Sequence, residues 1–288
     1  MKSQTRSHYE RRLEPVLAWL AAHPDQDADL YHLAGLACLS PYHFHRVYRA
    51  MLGETVAATV QRVRLMRASA ELRRDGRTLD QVARRAGYGS TAAFSRAFSA
   101  AFGMPPGRYR EDRSPDVIYR SKELTMYPVQ IESFPGVSLA ALPHAGDYLQ
   151  IGATFDRLFM LAGGRNLLRG EPRCFGVYYD DPEQVAARDL RSEAGLEAPP
   201  GVALDAPLHR LELPAGRCAV LEHTGPYSEL ESAYAWLFGG WLPASGEQPA
   251  DFPVFEEYLN DPKTTPPSDL KTRIYLLLAN VKQEAGAV

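Results

Sequence analysis

Apolar residues recur every three or four positions through the first hundred residues, and the spacing changes to alternation beyond residue 124. Leu13, Val16, Leu17 and Leu20 share one face of a helix predicted over Ser7–Ala22. Leu30, Leu33, Ala34 and Ala37 mark a short second helix. Ser40-Pro41 then offers an N-cap and a first-turn proline, and Phe44, Val47, Tyr48, Met51 and Leu52 form an apolar stripe that Gly53 caps. The pattern returns further along. Ala34, Ala37, Phe44, Arg46, Tyr48 and Gly53 match Ala83, Ala86, Phe94, Arg96, Phe98 and Gly103, at an offset of 49 for the first two and 50 afterwards. One residue inserted around Gly87-Tyr88-Gly89 accounts for the change. Short helix, tight turn and longer helix thus occur twice, as a repeated helix-turn-helix. Val56–Arg74 keeps a helical period between the copies. At ~1.5 Å per residue it spans ~30 Å, near the ~34 Å between successive major-groove faces of a duplex.

Beyond residue 124, strand-like runs appear at Val129–Ile131, Val137–Leu142, Phe175–Tyr179, Arg217–His223, Val254–Leu259 and Arg273–Leu278. Ile151–Leu161 and Leu230–Leu242 read as amphipathic helices, so this half is α+β. His144-Ala145-Gly146-Asp147-Tyr148 matches His223-Thr224-Gly225-Pro226-Tyr227 at an offset of 79. Phe175–Pro182 matches Phe255–Pro262 at an offset of 80. A duplicated strand-helix-strand-strand unit with a groove between the repeats is expected, and such a seam suits a ligand. Alternate strand residues share a face, so Glu256 lies with Tyr258, matched by Gly176 and Tyr178 in the first copy. One acid among Tyr178, Tyr258, Tyr148, Tyr227, Trp236 and Tyr275 forms a cage suited to an organic cation, since ring faces attract cations and the carboxylate supplies the countercharge. The bland alternative is an exposed Glu256 above ordinary core aromatics. Glu257, on the other face, is expected to be exposed or salt-bridged.

Composition sharpens this division. At 288 residues, with 45% hydrophobic and 23% charged positions, the chain reads as two folded domains. The expected boundaries are 1–112 for the helical domain, 113–123 for a linker and 124–288 for the α+β domain. Residues 1–112 carry 17 basic and 11 acidic side chains, a charge of +6, whereas the remainder carries 15 and 24, a charge of −9. The basic half suits a polyanion. Cys38, Cys174 and Cys218 show no metal-ligand spacing, and they read as reduced thiols in a cytoplasmic protein. No apolar run reaches the ~18 residues of a membrane helix, and the opening segment lacks a signal-peptide core. No membrane, metal site or cofactor is therefore expected. Ala162-Gly163-Gly164-Arg165 lacks the spacing of a phosphate-binding or dinucleotide loop.

Residues 8–112 resemble the AraC/XylS-type DNA-binding domain. The most specific stretch is Leu79–Tyr88 with Ser90–Phe94, Arg96–Phe98 and Phe102-Gly103-Met104-Pro105-Pro106-Gly107-Arg108-Tyr109-Arg110. The resemblance implies recognition helices at Ser40–Met51 and Ser90–Ala101. By position, Tyr42, His45, Arg46 and Arg49 would then face DNA in the first, and Thr91, Ala92, Ser95 and Arg96 in the second. Arg46 and Arg96 suit bidentate guanine or phosphate contacts, while Ser40 and Ser90 suit capping or phosphate.

Residues 125–283 resemble the GyrI-like effector-binding domain through His223–Tyr227, Tyr234 with Trp241-Leu242, Phe255–Pro262, Thr265-Pro266-Pro267 and Leu270–Tyr275. This resemblance implies a metabolite- or drug-binding groove whose strand acid, matched by Glu256, contacts the ligand. Leu276-Leu277-Leu278 departs from relatives that carry a proline after the tyrosine. Together the two resemblances imply a non-enzymatic transcription regulator. Its partners would be double-stranded promoter DNA and a small, cationic or aromatic effector, with RNA polymerase a further partner left open. Two alternatives remain at this point: a hydrolase of reactive natural products using Glu256 with Tyr258 or Tyr275, and a module that binds a protein partner.

Overall fold

The computed structural model describes residues 3–279 apart from 24, 25, 27, 75, 114–126, 166 and 169; of residues 3–5, 74, 112 and 113 it describes the backbone. The expected linker lies, but for its first residue, outside the described residues. Helices fill the first part: α1 (Ser3–Ala22), α2 (Leu30–Leu36), α3 (Pro41–Leu52), α4 (Val56–Arg74), α5 (Leu79–Arg85), α6 (Thr91–Phe102) and α7 (Pro106–Arg113).

The two helix-turn-helix units close by the same local chemistry. Ser40 and Ser90 accept the backbone N–H of the third residue on, and Gly53 and Gly103 end the helices at φ 78° and 73°, where a side chain would be strained. Phe44 and Tyr48 in α3 match Phe94 and Phe98 in α6, and all four are fully buried. The turns also correspond. Leu39 donates to the Ala34 carbonyl and Tyr88 to that of Ala83, while the preceding positions, Cys38 and Gly87, both have positive φ. Leu39 thus matches Tyr88 and Ser40 matches Ser90, which identifies Gly89 as the inserted residue.

An eight-stranded antiparallel sheet forms the second part: β1 (Val129–Phe134), β2 (Val137–Ala145), β3 (Cys174–Tyr178), β4 (Arg191–Glu197), β5 (His209–Leu213), β6 (Gly216–Thr224), β7 (Val254–Tyr258) and β8 (Lys271–Leu277). The strand order is β1-β6-β8-β7-β3-β4-β2-β5. One face carries α8 (Ile151–Gly164) over Ala140, Leu142, Ala194 and Leu196, and α9 (Leu230–Trp236) over Ala219, Leu221, Ile274 and Leu276. The opposite face of the curled sheet has its own core of Phe134, Phe175, Val177, Phe255 and Tyr275. A 3-10 turn precedes each helix, at Tyr148–Gln150 and Tyr227–Glu229. Two features differ from the sequence expectation. Strands β4 and β5 are additional, and the helix expected over Leu230–Leu242 passes through a π-turn at Leu237–Trp241 before α10 (Leu242–Ser245). Among the described residues no helix is long and apolar enough to cross a membrane.

The two parts are in intimate contact. Met160 of α8 belongs to the same apolar cluster as Leu13, Val16 and Leu17 of α1. Helix α4 crosses both 3-10 turns of the sheet domain. At one end Arg62 pairs with Glu54 at 2.6 Å and with Asp156 of α8 at 3.1 Å. Asp156, almost wholly buried, also takes Lys263 at 2.8 Å, and Lys263 donates to the Leu52 carbonyl at the end of α3. At the other end Ser69 meets Ser228 at 2.7 Å, and Arg73 reaches Ser232 and Glu231. Arg62, Met66, Ser69 and Arg73 fall at helical intervals of four, three and four, so one stripe of α4 makes all these contacts.

Candidate functional site

Strands β3 and β7 meet at the centre of the sheet with Gly176 opposite Glu256 and Tyr178 opposite Val254. Glu256 is buried at 3% exposure. Tyr234 of α9 donates to its Oε1 at 2.7 Å and Tyr258 to its Oε2 at 2.9 Å. The Tyr178 and Tyr258 hydroxyls are 2.5 Å apart. With the Tyr258 proton given to Glu256, Tyr178 becomes the donor, and a relay of hydroxyls ends on the carboxylate. Gly176 is what permits this meeting. A Cβ there would stand 2.7 Å from the Tyr258 hydroxyl and 2.9 Å from that of Tyr178.

These groups floor a cavity of about 1570 Å³. Tyr227 packs edge-on to Tyr258 at 5.3 Å, Phe155 does so at 5.4 Å, and Tyr148 lies 4.8 Å from Tyr178. Tyr148 is itself fixed, donating to the carbonyls of Asp180 and Arg191. Burial pushes Glu256 up to about 7, against the opposing pull of its tyrosine hydrogen bonds. Burial and the Glu256 charge raise the hydroxyls of Tyr178, Tyr227, Tyr234 and Tyr258 above the ordinary tyrosine range, so they remain neutral donors. Among the described residues, nine carboxylates and three Lys or Arg side chains line the cavity, and of the carboxylates Asp156, Asp180 and Glu231 are paired with Arg or Lys.

Of the residues expected at the groove, Glu256, Tyr258, Tyr178, Tyr148 and Tyr227 line this cavity. Trp236 and Tyr275 do not, which corrects their expected placement. Trp236 donates its indole N–H to the Tyr127 carbonyl and packs over Gly240. It follows Tyr234 by two helix positions, which turns it to the far side of α9. Tyr275 pairs in register with Phe255, so it shares the opposite sheet face, stacks on that ring and donates to Glu257 at 2.8 Å. Glu257 is buried there and held by Nε and Nη2 of the Arg173 guanidinium. Tyr234 and Phe155 were missing from the sequence-based set. Tyr234 lies four positions after Leu230 and seven after Tyr227, a helical interval that puts all three over the same sheet face. Cys174 lines the cavity with its thiol pushed up to about 12 by burial, whereas Cys218 is buried in the opposite core.

The recognition-helix candidates lie on the other side of the buried stripes. Ser40, Tyr42, His45, Arg46 and Arg49 are exposed, as are Ser90, Ala92 and Arg96, while Thr91 and Ser95 are half-buried. Tyr42 accepts a hydrogen bond from Arg46 at 2.8 Å and lies under its guanidinium, fixing that side chain at the surface. Thr91 donates to Asp80 of α5 at 3.4 Å. The turn Pro267–Asp269, between β7 and β8, lies beside α6.

A model of the GyrI-like small molecule binding domain matches residues 127–279, and a model of a helix-turn-helix domain matches residues 33–112. The chain joins a helical, AraC-type DNA-binding fold to a curled sheet domain that binds small molecules in its family. It belongs to the GyrI-like small-molecule-binding-domain family, with the helix-turn-helix domain ahead of it. It is 28% identical over 153 residues to the probable transcriptional regulator YgiV of Escherichia coli (strain K12), covering 52% of this chain and 96% of YgiV. It is 31% identical over 104 residues to the right origin-binding protein of the same strain, covering 36% of this chain and 35% of that relative. The solved C-terminal domain of EcmrR is 17% identical, with a TM-score of 0.45 over 54% of this chain and 99% of that one.

Proposed function

We propose that this chain is a one-component transcription regulator whose helical half binds promoter DNA and whose sheet half senses an organic cation. The observation that carries the sensing half is Glu256: a buried acid, held by tyrosine hydroxyls rather than by a basic side chain, at the floor of an aromatic cavity. A cation entering there replaces lost water with ring faces, worth ~0.5–2 kcal/mol each, and with a carboxylate. Glu256 supplies the countercharge, Tyr178, Tyr227 and Tyr258 the ring faces, and Tyr148 the rim. Reading outward from the β3–β7 pair, the strand order supports two copies of one unit with the cavity at their seam. On the DNA side, Arg46 and Arg96 are the leading base or phosphate contacts, Tyr42, His45, Arg49, Thr91, Ala92 and Ser95 lie around them, and Ser40 and Ser90 act as caps.

A thermal-shift screen of the full chain against cationic aromatic compounds, with Glu256→Gln alongside, tests the sensing half. Stabilisation of the wild type that the variant loses is the expected result. Equal stabilisation of both proteins would remove Glu256 from ligand recognition. A second reading draws on the same carboxyl: at about 7 it has the value suited to a general base, so a hydrolytic role is the alternative. Turnover of a bound compound in the same screen, abolished by Glu256→Gln, would put that reading first.

A further inference from the structure

The cavity is larger than a cage for a compact cation requires. Ligand pockets usually enclose ~300–1,000 Å³, and this one holds about 1570 Å³. Part of its lining comes from the helix-turn-helix half. Leu17 and Leu20 of α1 and Val60, Val63 and Met66 of α4 line the same cavity as Glu256. These side chains are apolar, and Thr59, Arg62 and Arg67 of α4 line the cavity beside them. Arg62 is neutralised by Glu54 and Asp156 on one side, and Ser69 and Arg73 are engaged with the second 3-10 turn on the other. Between those two anchorages α4 spans the sheet domain as a bar, and its underside brings Val63 and Met66 to the cavity together with Arg67, whose guanidinium pairs with Glu71.

We infer that this underside is a second, apolar subsite, which takes the hydrocarbon part of an amphiphilic cation whose charged head sits at Glu256. The inference rests on the cation reading above and names the ligand class: an elongated molecule, charged at one end and apolar at the other. A compact cation would fill the floor and leave the roof bare. The roof also has a consequence for function. Helix α4 joins the two helix-turn-helix units and sets the separation of α3 and α6, so a ligand that reaches the roof touches the element that spaces the recognition helices. Its differential affinity for two positions of α4 is the quantity that can shift DNA binding.

The test is a titration series on the full chain with tetramethylammonium and with alkyltrimethylammonium ions from butyl to decyl, below their micellar concentrations. Affinity is expected to rise about fourfold per methylene over the part of the series that reaches the roof. In Val63→Asn and Met66→Asn the rise is expected to flatten, with tetramethylammonium affinity unchanged. Because a polar residue under α4 also bears on folding, wild-type protein with 13C-labelled methionine methyls provides a parallel measurement. A nuclear Overhauser contact is expected between the decyl chain and the Met66 methyl group. An affinity independent of chain length, with tetramethylammonium still bound through Glu256, would overturn the roof subsite and leave the cation reading standing. So would the same chain-length dependence in the variants with no contact at Met66. Tetramethylammonium binding equally well to wild type and Glu256→Gln would bring down the cation reading itself, and the roof subsite with it.

Discussion

Cation binding should be strongly pH-dependent in a direction that Glu256 sets. Its folded pKa of about 7 lies above the ordinary carboxyl value of 4.5 because burial disfavours the charged form. The neutral acid is therefore the resting form below neutrality, and ionising it inside the fold costs about 3 kcal/mol relative to water. The stability this group contributes is greatest below the ordinary value and declines as pH rises through about 7. Ligand binding runs the opposite way, since a permanent cation favours the carboxylate. Relative to its plateau above pH 8, affinity should fall about tenfold at pH 6 and about a hundredfold at pH 5. The surrounding tyrosines are raised and do not titrate in this window, and burial lowers His144, which lies at the neighbouring 3-10 turn. Isothermal titration with tetraphenylphosphonium, repeated in buffers of different ionisation enthalpy, reads both affinity and proton release. About one proton per ligand should be released at pH 6 and almost none at pH 8.5. An affinity constant from pH 5 to 8.5, or the same pH profile in Glu256→Gln, would refute the assignment.

Gly176→Ala places a methyl group where the Tyr178 and Tyr258 hydroxyls meet, so cation affinity should drop at least about tenfold while the far-UV spectrum is unchanged. Titration calorimetry checks this, and an unaltered affinity would show that the hydroxyl pair is dispensable. Asp156→Ala leaves Arg62 and Lys263 without their shared buried partner, and a loss of about 3–5 kcal/mol is expected in urea unfolding. A midpoint within error of wild type would mean that the Arg62–Asp156–Lys263 cluster adds nothing to how the two halves are held together. Arg46→Ala should weaken binding to the preferred DNA site by ~1–3 kcal/mol and relax discrimination there. Equal losses on specific and random duplexes would make Arg46 a phosphate contact. DNA affinity should also fall steeply with salt, measured by fluorescence anisotropy.

The helical half was legible because its signals are local. Caps at Ser40, Ser90, Gly53 and Gly103 and the Phe44/Tyr48 and Phe94/Phe98 stripes recur at a constant offset, and each needs only its neighbours to be read. Strand β4 escaped because Arg191–Glu197 buries small residues, Ala194 and Gly195, and at Gly195 the Leu139 side chain fills the space a larger group would take. Strand β5 is five residues with two outward charges, and its place beside β2 is a tertiary fact. At the cavity, alternation along one strand correctly grouped Glu256 with Tyr258. It could not set the register between β7 and β8, and one residue of register decides that Ile274, rather than Tyr275, shares the face of Glu256. The roof formed by α1 and α4 was invisible for a different reason. Apolar residues that line a cavity and those that fill a core have the same spacing, and only the packing of one half on the other distinguishes them.

The most direct test is to locate a bound cation. Tetraphenylarsonium carries an anomalously scattering atom, and crystals of the full chain grown with it would mark the ligand without reliance on side-chain density. The arsenic peak is expected beside the Glu256 carboxylate, between the rings of Tyr178, Tyr227 and Tyr258. A peak elsewhere, or none at saturating concentration, would contradict the role given to that carboxylate.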